Sequence, residues 1–454
     1  GGNSAAATQA LRYTPAMSKE AADLLIDAAW VVPGNGAPNI AAGAIAIGAG
    51  RILALGPAND LNAAFSPVSH ISLPDHLLAP GLISSHGHLA MNLLRGCAED
   101  LTLQSWLQRR IWPLEADHVS AEFVRDGTAL ALLEMLRAGV TCCSDMYFHP
   151  EVAAEAVLQA GMRAQLAFPV LDFANSWSRD ADDAIHKGLA LADRYRHEER
   201  LQIAFGPHSI ATVSDTVFAR VLMFSEELDL KVQIHLHENA ADVADNHQQL
   251  GRSGIAHLQQ LDLLGPNLQA VHVTQLEDEE LAALSAANAH VIHCPASNAK
   301  LASGTCPVTR LLDAGINVAL GTDSAASNNR LSILGEARLA ALLAKLADAN
   351  ATALPAATAL DMATINGARA LGWGAQLGSL EVGKYADLIA VDTRAPELQP
   401  MYDPLATLIH SSADQQVSHV WVAGECLLDD GHATRVDETA ILERVIAWQQ
   451  RIQP

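Results

Sequence analysis

Between residues 82 and 346 the chain switches repeatedly between short apolar runs and longer amphipathic ones rich in Ala and Leu. No other feature narrows the fold as far. Short apolar runs bounded by turn residues read as strands, and the longer segments carry apolar residues at helical spacing. The strand-like runs fall at 82–85, 140–144, 162–170, 201–205, 232–234, 270–271, 290–292 and 317–320, eight in all. Helices are predicted at 120–137, 152–160, 180–196, 214–228, 241–261, 277–287, 308–314 and 331–346, several behind good N-cap residues such as Ser120 and Ser214. Eight consecutive βα units close most naturally into an α/β fold of the (β/α)8 TIM-barrel type, whose active site lies at the carboxyl ends of the strands. An open doubly wound sheet is the rival. It would need a Gly-rich dinucleotide turn that this chain lacks.

The flanks follow a different pattern. Residues 21–79 and 378–432 show short alternating runs broken by Gly, such as Ala44-Ile45-Ala46-Ile47 and Ile52-Leu53-Ala54-Leu55, which suggest antiparallel strands. One set precedes the barrel and the other follows it. The simplest arrangement is a small β-sandwich built from both chain ends: 21–79 its N-terminal part, 80–377 the barrel, and 378–454 its C-terminal part with a terminal helix. Residues 1–20 read as a cloning remnant or a flexible tail.

The chemistry-bearing residues gather where strand-like runs end. Leu82 to Ser85 leads into His86-Gly87-His88, Val232-Gln233-Ile234 into His235-Leu236-His237-Glu238, Ala270-Val271 into His272, and Val318 to Thr322 into Asp323. In extended chain residues i and i+2 point the same way, so His86 and His88 can converge on one ion. Each residue alone has a bland reading. Paired histidines are more often surface residues, Glu238 would suit a helix start, Asp323 an N-cap, and His272 a core position. Their shared place at strand ends argues against coincidence. A catalytic zinc-type site takes about three protein ligands and leaves a position for water. His86, His88 and His235 with Asp323 meet that demand. Glu238 could then reach the water's target without ligating the metal, and His272 could orient the water.

Composition excludes other classes. With half of 454 residues apolar and a net charge of −23, the chain can bury a large core but lacks the basic clusters a nucleic-acid partner would need. Its longest apolar runs fall far short of the roughly 20 residues that span a bilayer. Six scattered cysteines with no C-x-x-C pair predict reduced thiols in a cytoplasmic protein.

The motifs together resemble the amidohydrolase superfamily, and within it the methylthioadenosine/S-adenosylhomocysteine deaminase branch. The matching stretches are His86-Gly87-His88-Leu89-Ala90-Met91-Asn92-Leu93-Leu94-Arg95-Gly96, Asp145-Met146-Tyr147-Phe148, Phe205-Gly206-Pro207-His208-Ser209, Ile234-His235-Leu236-His237-Glu238, Pro295-Ala296-Ser297-Asn298, Gly321-Thr322-Asp323-Ser324 and Gly383-Lys384-Tyr385-Ala386-Asp387-Leu388. The resemblance implies that His86, His88, His235 and Asp323 hold one divalent metal ion, usually zinc. It also implies that hydroxide formed from bound water attacks C6 of an adenine ring, with Glu238 protonating N1 while His272 and Asp323 hold the water and pass its proton to the departing ammonia. His208 stands where a carbamylated lysine would support a second metal, which suits a mononuclear site.

Substrate contacts follow in the same way. The resemblance places Glu115 on the ribose hydroxyls and His208 against the nucleoside. Where members accepting S-adenosylhomocysteine use arginines for the amino-acid carboxylate, Phe168 stands at one position and Arg179 is the candidate for the other, so a methylthio group is expected to suit the pocket better. The expected partners are a small nucleoside and water, with no nucleic acid or membrane; a homo-oligomer stays open. The alternatives are a related enzyme acting on guanine, another aminated heterocycle or a triazine-like ring, and a non-catalytic barrel. The H-x-E and P-C-x-x-C signature of the cytidine-deaminase class is incomplete, because Cys294-Pro295 has no second spaced cysteine.

Overall fold

Two eight-stranded sheets organise the chain, one for each of the two sequence patterns. The structure is a computed structural model that describes residues 19–452, so the predicted tail lies outside the described residues apart from Lys19 and Glu20. The first sheet contains β1 (Glu20–Val31), β2 (Ile40–Gly48), β3 (Arg51–Pro57) and β4 (Phe65–Pro80). The second is built from β5 (Leu82–Ser84), β6 (Val140–Asp145), β7 (Arg163–Val170), β8 (Leu201–Pro207), β9 (Val232–Leu236), β10 (Leu268–His272), β11 (His290–His293) and β12 (Asn317–Leu320). The chain then returns to the first sheet with β13 (Leu388–Asp392), β14 (Val417–Val422), β15 (Glu425–Asp429) and β16 (His432–Ala433), and ends in the helix Glu438–Ile452.

The terminal sheet runs in the order β16-β15-β14-β13-β4-β1-β2-β3. Its hinge is the sixteen-residue β4, which pairs with β1 on one side and with β13 on the other. Ile26, Ile45 and Ile52 from the N-terminal strands share one apolar core with Leu388, Ala390 and Trp421 from the C-terminal ones. Not every pair is antiparallel, as the alternating runs had suggested. β1 and β4 are parallel because the β2–β3 hairpin and the helix Ala58–Ala64 intervene and return the chain in the original direction. The hairpin turns at Ala49 (φ 49°) and Gly50 (φ 73°), two left-handed residues that match the twist of the flanking strands.

In the barrel sheet every strand is parallel to its sequence neighbour. The ring closes where Ser85 N–H donates to Leu320 O at 2.8 Å and Asp323 N–H donates to His86 O at 3.1 Å. A side chain at Gly321 would lie 2.8 Å from the His86 backbone, so the first and last strands meet this closely only because that position is glycine. Outward residues such as Leu166, Phe168, Ile234 and Ala270 join a continuous apolar layer with the surrounding helices. The predicted helix at 241–261 is two helices, Ala240–Leu250 and Gly254–Gln260, because Gly251 (φ 70°) ends the first.

The barrel is tied to the terminal sheet by a buried ion pair. Arg163 at the start of β7 donates through Nε to Asp387 Oδ2 at 2.8 Å and through a terminal nitrogen to Oδ1 at 3.2 Å. Tyr385 is sandwiched between the guanidinium groups of Arg51 and Arg163, at 4.0 and 4.3 Å. Tyr385 and Asp387 therefore anchor one module to the other. Among the described residues no helix is long and apolar enough to cross a membrane.

Candidate metal centre and active site

The carboxyl ends of β5, β9, β10 and β12 bring His86, His88, His235, His272 and Asp323 into one cluster. Ligand-type atoms of His86, His235 and His272, and likewise of His86, His88 and Asp323, lie within 4.8 Å of one another. The chain reaches this arrangement through unusual backbone. His237, His272 and Asp323 adopt φ of 50°, 82° and 58°, a left-handed region that costs a non-glycine residue of order 1–3 kcal/mol each. At His272 and Asp323 the surrounding packing bears that strain while aiming both side chains into the cluster, whereas the His237 ring turns away to Gln275 O and the Ile255 N–H.

Each ligand-type histidine is held by its far nitrogen. His88 Nδ1 lies 2.6 Å from Met146 O, His235 Nδ1 lies 2.7 Å from His208 O, and His86 Nδ1 lies 2.8 Å from Gln233 Oε1. Facing an acceptor, each Nδ1 carries the proton and the Nε2 lone pair is left free for a cation. Asp323 is oriented in the same fashion. Ser297 Oγ donates to Asp323 Oδ2 at 2.6 Å and Ser327 Oγ at 3.3 Å, while Oδ1 lies 3.5 Å from His86 Nε2 and 3.3 Å from His88 Nε2.

The residues fit a bound divalent ion. His86 Nε2 is buried with no hydrogen-bond partner in the protein, and an orphaned buried nitrogen is costly unless something occupies its lone pair. Imidazole nitrogens and one carboxylate, with no thiolate, form a donor set that suits zinc.

The electrostatics agree with that fit. Burial, reinforced by His208, His86 and His88, pushes His235 well below the ordinary histidine value, toward the neutral form that binds metal. Burial also lowers His272 to about 3 and His208 to about 4. His88 moves the other way, because the Asp323 carboxylate outweighs the effect of burial. Asp323 would be raised by burial, but His86 and His88 hold it well below the usual carboxylate range.

Glu238 stands at the edge of the cluster, its Oε2 3.7 Å from His272 Nε2. Burial first, and then the nearby Asp323 and Asp242, push its carboxyl well above the usual range. Its backbone is pinned by Thr274, whose hydroxyl donates to Glu238 O at 2.7 Å. His208 packs 4.9 Å from His235, ring centre to ring centre, with its Nδ1 buried and unpartnered. Glu115 comes from a long excursion between β5 and the helix Ala121–Arg137. It reaches the site by accepting a 2.7 Å hydrogen bond from Tyr147 Oη, and Tyr147 in turn packs on His88.

Two expected contacts fall elsewhere. Phe168 is fully buried on the outward side of β7, its ring against Phe205, Trp177 and Gly188 of the surrounding layer. It faces the helices because its position in the strand's two-residue period puts it with Leu166 and Val170 and not with inward Ala167. Arg179 lies in the loop after β7 with 84 % of its side chain exposed, paired with Asp183 in the following helix. Neither belongs to the cluster.

Several supporting groups were missed from sequence. Ser297, Asn298 and Tyr147 sat inside the quoted motifs, but nothing in a linear pattern shows that Ser297 grips Asp323, that Asn298 Nδ2 lies 3.1 Å from His272 Nδ1, or that Tyr147 carries Glu115. Gln233, two residues before His235, could have been noticed as a polar residue within an apolar strand.

Comparison with known proteins agrees with this geometry. The model of the Amidohydrolase family matches residues 77–427. A 5-methylthioadenosine/S-adenosylhomocysteine deaminase of Saccharophagus degradans is 46% identical over 437 residues, which cover 96% of this chain and 98% of that protein. The crystal structure of an adenosine deaminase from Xanthomonas campestris with bound zinc superposes with a TM-score of 0.94 at 43% identity, over 96% of this chain and 100% of the other. An atrazine chlorohydrolase from Arthrobacter aurescens, complexed with zinc, superposes with a TM-score of 0.87 at 25% identity, over 95% of this chain and 100% of the other. With a family match over most of its length and a relative this similar along nearly all of it, the chain belongs to the amidohydrolase family.

Proposed function

We propose that the chain is a zinc-dependent aminohydrolase that deaminates the adenine ring of a nucleoside to the inosine analogue and ammonia. The observation that carries this reading is the buried Glu238 carboxyl, its affinity for a proton raised by burial, set 3.7 Å from His272 at the edge of the metal-type cluster. A hydrolytic deamination needs a group that donates to the ring and another that handles the water's protons, and these two residues occupy those places. The names of the relatives, deaminases of 5-methylthioadenosine, S-adenosylhomocysteine and adenosine, support the same chemistry.

His86, His88, His235 and Asp323 would hold the ion, whose Lewis acidity lowers the pKa of a water in the site. Glu238 passes its proton to ring N1, which makes C6 electrophilic. Asp323, with Oδ2 fixed by Ser297 and Ser327, orients the water with His272 as it adds to C6. The proton released by the water is carried to the exocyclic nitrogen, the C6–N6 bond breaks, and ammonia leaves. The remaining proton of the C6 hydroxyl then returns to Glu238 as the C6=O bond forms, and the product keeps the N1 proton in its keto form.

Glu115, raised from its ordinary value by burial and held by Tyr147, is placed to accept hydrogen bonds from ribose hydroxyls, and His208 lines the same mouth. A triazine ring would make no use of Glu115, so the nucleoside reading is preferred over that of the more distant neighbour. With Phe168 turned into the helix layer and Arg179 in solvent, the argument for methylthioadenosine over S-adenosylhomocysteine loses its basis. The six cysteines are free, in keeping with a cytoplasmic setting.

The test is ammonia release by zinc-loaded protein offered adenosine, 5′-methylthioadenosine, S-adenosylhomocysteine, free adenine and guanine. Nucleosides should be turned over far faster than either free base. Release from guanine alone, or from none of them, would overturn the reading.

A further inference from the structure

Part of the inside of this barrel is polar where such barrels usually stack Val, Ile and Leu. Gln165 on β7, Gln233 on β9 and Gln269 on β10 are all fully buried, with Ser144 on β6 between them. Each amide has partners. Gln269 Nε2 donates to Ala370 O at 2.7 Å and to Gln165 Oε1 at 2.9 Å, while its oxygen accepts from Gln233 Nε2 at 2.7 Å and from Gln165 Nε2 at 2.8 Å. Gln233 Nε2 also donates to Ser85 O at 3.0 Å.

Two of these contacts decide the orientation of the rest. Ala370 O and Ser85 O are backbone carbonyls, which only accept, so the nitrogens of Gln269 and Gln233 must face them. Turning either amide over would place oxygen against oxygen inside a dry core. Gln233 Oε1 is therefore committed to His86 Nδ1, 2.8 Å away, and as an acceptor it requires that nitrogen to carry the ring proton. The buried and otherwise unpartnered Nε2 of His86 is then the lone-pair side. His88 and His235 obtain the same result from the backbone carbonyls of Met146 and His208, which no substitution removes. Among the three histidines, only His86 depends on a side chain.

We infer that Gln233, braced by Gln269, Gln165 and Ser144, is a positioning residue that fixes the tautomer and angle of His86 and so sets the affinity of the centre for its metal ion. The inference rests on the metal-site reading above and adds to it a part of the barrel remote from substrate. Removing an outer partner of a metal-bound histidine typically weakens metal binding by about 10–100-fold.

The experiment is zinc affinity of demetallated full-length protein by competition with a chelator, with the melting temperature of the metal-free protein measured alongside. Gln233→Met keeps the volume and removes the acceptor; it should bind zinc about 10–100-fold more weakly than wild type. Gln233→Glu disturbs the network as much but keeps an oxygen against Nδ1, so it should retain far more of the affinity at a similarly lowered melting temperature. If Gln233→Met does not fold, Gln269→Met, which unbraces Gln233 without touching His86, should show a severalfold loss. Unchanged affinity in the Met variants would overturn the inference, and so would equal losses in Gln233→Met and Gln233→Glu, which would mean that only packing was disturbed. A wild type that binds no zinc would instead overturn the metal-site reading itself.

Discussion

Alternate residues of the same barrel strands face different environments. On β7, Leu166 and Phe168 pack outward against helices while Gln165 points into the barrel; on β9, Ile234 packs outward while Gln233 and His235 point in. The outer face is held by apolar area, a non-directional contribution of roughly 25 cal/mol per Å² that many similar side chains could supply. Much of the inner face is held by directed hydrogen bonds, as between Gln165, Gln233, Gln269 and Ser144. Outer positions should therefore govern stability and inner positions chemistry, although the two are separated by a single residue along the strand.

The sharpest way to break that contrast is to remove an inner ligand. Asp323→Ala and His235→Ala should each lose the metal and turnover together while the protein stays folded, with zinc content and ammonia release measured on one sample. Retained turnover in a metal-free variant would show that the inner cluster is not the reacting centre. Next comes Glu238→Gln, which should keep metal and fold but lower kcat by about 10²–10⁴-fold, because an amide cannot deliver the ring proton. Near-normal kcat in steady-state assays would assign the donor elsewhere.

On the outer face, Phe168→Ala should cost about 3–5 kcal/mol in denaturant unfolding, as expected for emptying a packed aromatic site, with kcat/KM of the folded fraction nearly unchanged. A selective change in the ratio between 5′-methylthioadenosine and S-adenosylhomocysteine would return Phe168 to the pocket. The smallest effect belongs to Arg179→Ala. Its exposed pair with Asp183 is screened by solvent, and neither stability nor the substrate ratio should move measurably. A loss confined to S-adenosylhomocysteine would show that the loop after β7 folds over the substrate.

Much of this molecule was legible in the chain. All eight barrel strands fall within a few residues of the apolar runs that foretold them, since a strand enclosed by helices must be apolar over most of its length. The cluster was legible because His86, His88, His235, His272 and Asp323 each follow such a run, and the carboxyl ends of parallel strands in a closed barrel share one mouth. The excursion carrying Glu115 was harder. Its 3-10, π and α turns between Leu89 and His118 have no single period, so its path depends on what it packs against, notably Tyr147.

The sequence by itself determined the fold class and which histidines and carboxylates end the barrel strands, because periodicity and residue type are local properties that survive without a three-dimensional context. The tertiary structure alone decided that β1 and β4 run parallel, that Phe168 turns outward, that Arg179 stays in solvent and that Gln233 faces His86. Those outcomes depend on register and on partners distant in the chain. A shift of one residue along a strand exchanges its two faces, and an amide acquires a fixed direction only when the acceptors around it are already in place.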